Sequence, residues 1–79
     1  MEHDKFYRQL GRNIASLRKS KGLSQSKFAE LSGISRSYLS KIEADGLSKK
    51  CSLDVLLDIA DAFEVDIVDL IKNSENQDA

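Results

Sequence analysis

The sequence contains no proline, a single cysteine and a single histidine in 79 residues. Cys51 has no second thiol with which to close an internal disulfide. With His3 as the one imidazole and Cys51 as the one thiol, neither a metal cluster nor a Cys–His catalytic pair is a convincing reading. The several aspartates near residues 54–61 imitate a carboxylate pair, but exposed acids are the ordinary explanation, so the expectation is no enzyme, no metal and no cofactor. No apolar run approaches the roughly 20 residues that span a bilayer, and the opening "MEHDKFYRQL" is not a secretory signal. These absences favour the cytoplasm. No two glycines form a phosphate-binding loop, no internal repeat occurs, and β-branched residues do not alternate with polar ones. Strands therefore find no support.

What is present is charge, unevenly placed. Residues 1–50 carry 11 Lys or Arg against 5 Asp or Glu, a balance of +6; residues 51–79 carry 1 against 8, a balance of −7. The net charge of −1 conceals this split. A basic first part joined to an acidic last part suggests one face built for a polyanion and another turned away from it. The plain alternative is that all these charges are simply solvated. Composition, at 41% hydrophobic and 32% charged, is that of a globular chain. At this length it makes one domain with a modest core, which association with a second copy would help.

Apolar residues recur at helical spacing. Phe6, Leu10, Ile14 and Leu17 form one stripe, predicting a helix near 4–21 that Lys19 and Lys21 suit at its C-terminal end and Gly22 stops. Ser24 caps a short helix near 25–32 with Phe28, Ala29 and Leu31. Gly33 interrupts, and Ser35 caps a third helix near 36–45 holding Leu39 and Ile42 inward until Gly46. After the polar loop "LSKKC", Ser52 caps a helix near 53–63 with Leu53, Leu56, Leu57, Ala60 and Phe63 on one face. Asp66 caps a last helix near 67–72. Residues 74–79 read as a disordered polar tail. The expectation is an all-α, five-helix domain over residues 1–73.

The stretch "LSGISRSYLS" explains its own glycine. A glycine in a short turn between two short helices lets them cross steeply, because it takes positive φ without a Cβ clash. Ala29 leaves room for the crossing, Ile34 fills the corner, and Leu39 and Ile42 anchor the second helix. Arg36, Ser37, Ser40 and Lys41 are then left pointing outward. Short serines let a helix lie deep in a major groove, and arginine or lysine reaches guanine O6 and N7. Tyr38 and Ser35 suit phosphates near the helix start, where backbone N–H groups favour anions. The competing reading is a solvated helix face with serines acting only as caps.

The segment "LRKSKGLSQSKFAELSGISRSYLSKIE" resembles the helix-turn-helix of phage Cro and repressor proteins, a likeness covering roughly residues 9–72. "RSYLSKIE" and the short length look especially like restriction–modification controller proteins, and the chain is also similar to small biofilm and lysogeny repressors. The resemblance implies a lambda-repressor-like fold and sequence-specific binding of double-stranded DNA. It implies that Gln25 binds a backbone phosphate and braces the start of the recognition helix. Arg36, Ser37, Ser40 and Lys41 match base-reading positions, and Tyr38 matches a backbone-contacting one. Arg18 and Glu43 match a charged pair tying the first helix to the recognition helix. Two departures stand out. The loop before the fourth helix is about two residues longer than is common in the family and lacks its proline, and Ala44 replaces the arginine usual after Ile-Glu, which puts one phosphate contact in doubt.

Phosphate contacts are thus expected from Ser24, Gln25, Lys27, Ser35 and Tyr38, with Lys49 and Lys50 either on the phosphates or merely solvated. Cys51, beside those lysines, reads as a partly buried loop thiol, with redox sensing as the lesser alternative. One short helix reads few base pairs, so selectivity calls for a homodimer on a palindrome with half-sites roughly 34 Å apart. The last helix offers the dimer surface, through Val68 and Ile71 with Ile67 and Phe63 beside them. No small-molecule effector is evident, and control by the protein's own concentration is the expectation. The second class of function is an antitoxin-like or antirepressor-like protein-binding module. It calls for an extra apolar segment, and "NSENQDA" is polar.

Overall fold

The computed structural model describes residues 3–46 and 52–76, with side chains described to residue 72. Lys49, Lys50 and Cys51 lie outside the described residues. Among the described residues five helices run in order: α1 Asp4–Ser20, α2 Gln25–Ser32, α3 Arg36–Asp45, α4 Leu53–Phe63 and α5 Ile67–Asn76. No strand occurs among the described residues, and no helix is long and apolar enough to cross a membrane.

Local chemistry sets most boundaries. The hydroxyls of Ser24, Ser35 and Ser52 accept hydrogen bonds from the backbone N–H groups of Lys27, Tyr38 and Val55 at 3.0, 3.0 and 3.3 Å. Each satisfies a donor that the first turn of its helix leaves without an intrahelical partner. Gly33, at φ +79°, closes α2 with its N–H on the Ala29 carbonyl at 2.9 Å, and the Ile34 N–H reaches the same oxygen at 3.2 Å. The start of α5 differs from expectation. The bond runs from the Asp66 backbone N–H to the Asp69 carboxylate at 3.1 Å, so the acid three residues on does the capping. The helix also continues to Asn76, past the expected end at 72 and into the stretch read as tail.

Helix α1 packs on α3 and α5, while α4 packs on α2 and α5. The core is built from Leu10, Ile14, Phe28, Leu39, Ile42, Ile59, Phe63 and Leu70, each at most 3% exposed. Phe28 and Phe63 stack with centroids 4.1 Å apart and planes 17° from parallel. That placement corrects the interface expected of Phe63, which at 1% exposure has no surface to offer a partner. Several residues expected inside are outside: Phe6, Leu31, Leu53 and Leu57 are 41–63% exposed.

Helix α1 crosses the end of α3 closely. A Cβ on Gly11 would fall 2.3 Å from the Ile42 carbonyl oxygen, and one on Gly46 would fall 2.6 Å from the Arg8 Cα. Gly11 faces the backbone of Ile42 and Gly46 at the end of α3, and Gly46 faces the backbone of Tyr7 and Arg8 in α1, so the two segments touch there.

Candidate nucleic-acid interface

The side chains of α3 divide into two sets. Leu39 and Ile42 are buried, whereas Arg36, Ser37, Ser40 and Lys41 are all exposed on the opposite face. These four therefore form one convex, polar strip on a short helix. Tyr38 is half-buried and packs against the core cluster, so its ring leans on the protein beside that strip.

What holds the strip in place, besides the buried Leu39 and Ile42 behind it, is the edge of the helix next to Arg36, where Glu43 lies. The Arg18 Nε donates to Glu43 Oε2 at 2.7 Å and a terminal nitrogen donates to Oε1 at 2.9 Å, a two-pronged pair with side chains only 10% and 7% exposed. The other terminal nitrogen of Arg18 donates to the Leu23 carbonyl at 2.7 Å. Gln25 Nε2 adds a third donor to Glu43, on Oε1 at 2.9 Å. One carboxylate thus ties α1 and α2 to α3, and its partner Arg18 also holds the α1–α2 turn. Burial alone would push the Glu43 carboxyl up, but the hydrogen bonds from Arg18 and Gln25, with the charges of Arg18 and Lys19, outweigh it and hold it below the usual range. Hydrogen bonding to Glu43 raises the Arg18 guanidinium further still, against its burial, so it remains charged.

Gln25 departs from its implied role in one respect. It braces Glu43, in the last turns of α3, and not the start of that helix. One Nε2 hydrogen is engaged there, which leaves the second for an outside acceptor. Ser24 and Ser35 accept their capping bonds and keep hydroxyl protons to donate. Lys27 lies 3.9 Å from Glu30, with both side chains more than half exposed, a pairing too loose and too wet to withhold the ammonium from a phosphate.

Two residues were not singled out from the sequence. Asn13 is fully buried; its Nδ2 donates to the Leu70 carbonyl of α5 at 2.7 Å, and its Oδ1 accepts from Gln9 at 3.2 Å. It fastens α5 to α1. Gly11 makes the α1–α3 approach possible. The only available signal for Asn13 was its place on the inward side of α1, between Leu10 and Ile14. On α5, Val68 is 53% and Ile71 38% exposed, while Ile67 is half-buried against the core.

Known proteins share this fold. The helix-turn-helix family pattern matches residues 14–70. The restriction–modification controller protein C.AhdI from Aeromonas hydrophila superposes with a TM-score of 0.74 at 34% identity, over 81% of this chain and 94% of that one. SinR, the master regulator for biofilm formation, solved in complex with DNA, superposes with a TM-score of 0.70 at 35% identity, over 78% of this chain and 97% of that one. Antitoxin PezA of Streptococcus pneumoniae is 42% identical over 62 residues, 78% of this chain. The chain spans only 38% of that curated relative's length. An exposed polar face on a braced second helix, the family pattern over most of the chain and these likenesses converge: the chain belongs to the helix-turn-helix family of the Cro and phage-repressor type, DNA-binding regulators of transcription.

Proposed function

We propose that the protein is a sequence-specific, cytoplasmic transcription regulator that binds a palindromic operator as a homodimer, with α3 in the major groove. The observation that carries this reading is the division of α3. Arg36, Ser37, Ser40 and Lys41 are exposed together, while the opposite face is fixed by Leu39 and Ile42 and the flank beside Arg36 by the Arg18–Glu43–Gln25 cluster. A face held rigidly by its back can present base-reading groups in one geometry, as discrimination between base pairs requires. Arg36 and Lys41 read base edges. Ser24, Gln25, Lys27, Ser35 and Tyr38 contact phosphates and set the register. Lys49 and Lys50 would extend those contacts. The dimer surface comprises Val68 and Ile71, with Ile67 at its edge.

The test is selection of bound sequences from a random duplex pool at near-physiological salt. Recovery of a two-fold symmetric motif with half-sites about 34 Å apart, one helical turn, supports the reading. Binding that is salt-sensitive but blind to sequence counts against it. One observation favours a second reading: the 42% identity to an antitoxin. On that reading the same fold serves as a module whose physiological partner is another protein, and sequence-blind binding in the selection would turn attention to it.

A further inference from the structure

Five of the eleven cations in residues 1–50 are left without a role by the operator-binding reading, and four lie on one helix face. Lys5, Arg8, Arg12 and Lys19 are all exposed on α1, and at 3.6 residues per turn they fall within an arc of roughly 60°. That arc is opposite the side bearing the buried Leu10 and Ile14. Helix α4 carries the reverse. Asp54, Asp58 and Asp61 are exposed within a similarly narrow arc, away from the buried Ile59, Ala60 and Phe63. None of these seven side chains forms an ion pair with another described residue; the two ion pairs among the described residues involve Arg18, Glu43, Lys27 and Glu30.

The two ridges also agree in spacing, provided the helices run in opposite directions. From Arg12 back to Arg8 and Lys5 the steps are four residues and three; from Asp54 on to Asp58 and Asp61 they are again four and three. With a rise of 1.5 Å per residue, both series place charges at 0, about 6 and about 10.5 Å. In a parallel arrangement the middle charges would be out of step by a residue. Because α1 packs on α3 and α5 while α4 packs on α2 and α5, the two ridges do not meet in one chain.

We infer that the α1 ridge of one copy docks antiparallel on the α4 ridge of a second copy, pairing Arg12 with Asp54, Arg8 with Asp58 and Lys5 with Asp61. The occupant of each surface is thus another copy of this chain, joined head to tail and separately from the apolar two-fold surface of α5. A contact of this kind is open-ended, since each added copy presents a fresh ridge. Exposed ion pairs are weak and screened by salt. The contact therefore forms at low ionic strength or where copies are crowded on one DNA molecule, which raises their effective concentration.

Sedimentation velocity of the full chain without DNA tests this. At about 10 mM salt the screening length is about 30 Å and at 150 mM about 8 Å. The wild type is expected to form larger species at the lower salt than at the higher. The Arg8→Glu/Arg12→Glu variant and the Asp54→Lys/Asp58→Lys variant should each weaken that association at least tenfold. Combining all four changes restores the pairing with its signs exchanged and keeps the net charge of −1, so association should return. A control chain combining Arg8→Glu and Arg12→Glu with Glu30→Lys and Glu64→Lys has the same net charge but no matched ridge, and should stay dissociated. The Lys5→Glu/Asp61→Lys exchange provides an independent second pair. A wild type that does not associate further at low salt overturns the inference. So does a folded four-fold variant that behaves like the control. If Arg8→Glu/Arg12→Glu leaves self-association intact and instead weakens binding to a single DNA duplex, the ridge belongs to phosphates and the inference also fails.

Discussion

Replacing Glu43 with glutamine removes one charge and exchanges one acceptor oxygen for an amide. In the wild type the carboxylate receives three hydrogen bonds of 2.7–2.9 Å, from Arg18 twice and Gln25 once. Glutamine can accept through one oxygen only, and its own N–H₂ must face a donor. Arg18 keeps its bond to the Leu23 carbonyl but loses its counter-charge in a site where its side chain is 10% exposed. Removing one member of a fully buried pair costs about 3–5 kcal/mol. Residual solvent and the remaining acceptor reduce this to about 2–4 kcal/mol. A chain of this length has a total stability of roughly 4–12 kcal/mol. The loss therefore lowers Tm by roughly 10 °C or more.

The effect depends on pH in a defined direction. The folded-state Glu43 carboxyl lies below its ordinary value of 4.5, so the pair's contribution is fully present above that value and is lost as pH falls through the depressed folded value. Denaturant unfolding of wild type and Glu43→Gln should thus show a wide gap at pH 7 that narrows on acidification, because only the wild type has a charge to lose. A gap under about 0.5 kcal/mol at pH 7, the usual scale of an exposed pair, would refute the reasoning. So would a wide gap unchanged across the acid range.

The remaining predictions use the same structure. Alanine at Gly11 or Gly46 should cost more than about 3 kcal/mol, because its Cβ meets fixed backbone at 2.3–2.8 Å. Alanine at Gly33 has nothing within 4 Å and should cost only about 1–2 kcal/mol for its positive φ; denaturant midpoints of the three variants would rank them, and an equal ranking would contradict the close α1–α3 approach. Arg36→Ala should cost about 1–3 kcal/mol on the selected operator and relax preference at one base position. An equal loss on random DNA would make Arg36 a phosphate ligand. Val68→Asp should raise the dimer dissociation constant at least tenfold in equilibrium sedimentation, and an unchanged mass would remove α5 from the interface.

The sequence alone determined the elements and their order, because the signals for helix ends are local. A serine hydroxyl reaches an N–H three residues on, and a glycine takes positive φ, whatever the rest of the chain does. Hence Ser24, Ser35 and Ser52 mark three starts, and Gly22, Gly33 and Gly46 three stops. The outward strip of α3 followed from the same periodicity once Leu39 and Ile42 were taken inward. Periodicity does not say how much of an apolar face its neighbours cover, and only packing decided that Phe63 stacks on Phe28 while Phe6, Leu31, Leu53 and Leu57 stay exposed. Polar residues give still less local warning. Asn13 has the composition of a surface residue until the Leu70 carbonyl arrives from 57 positions away, and Gln25 reaches Glu43 only because α2 and α3 cross where they do. Gly11 sits in ordinary helix, so nothing but the Ile42 carbonyl pressed against it reveals why a side chain is excluded. The length of α5 was likewise decided by assembly: once Leu70 is buried and the helix nucleated, each further residue adds a backbone bond at little cost, even through polar sequence.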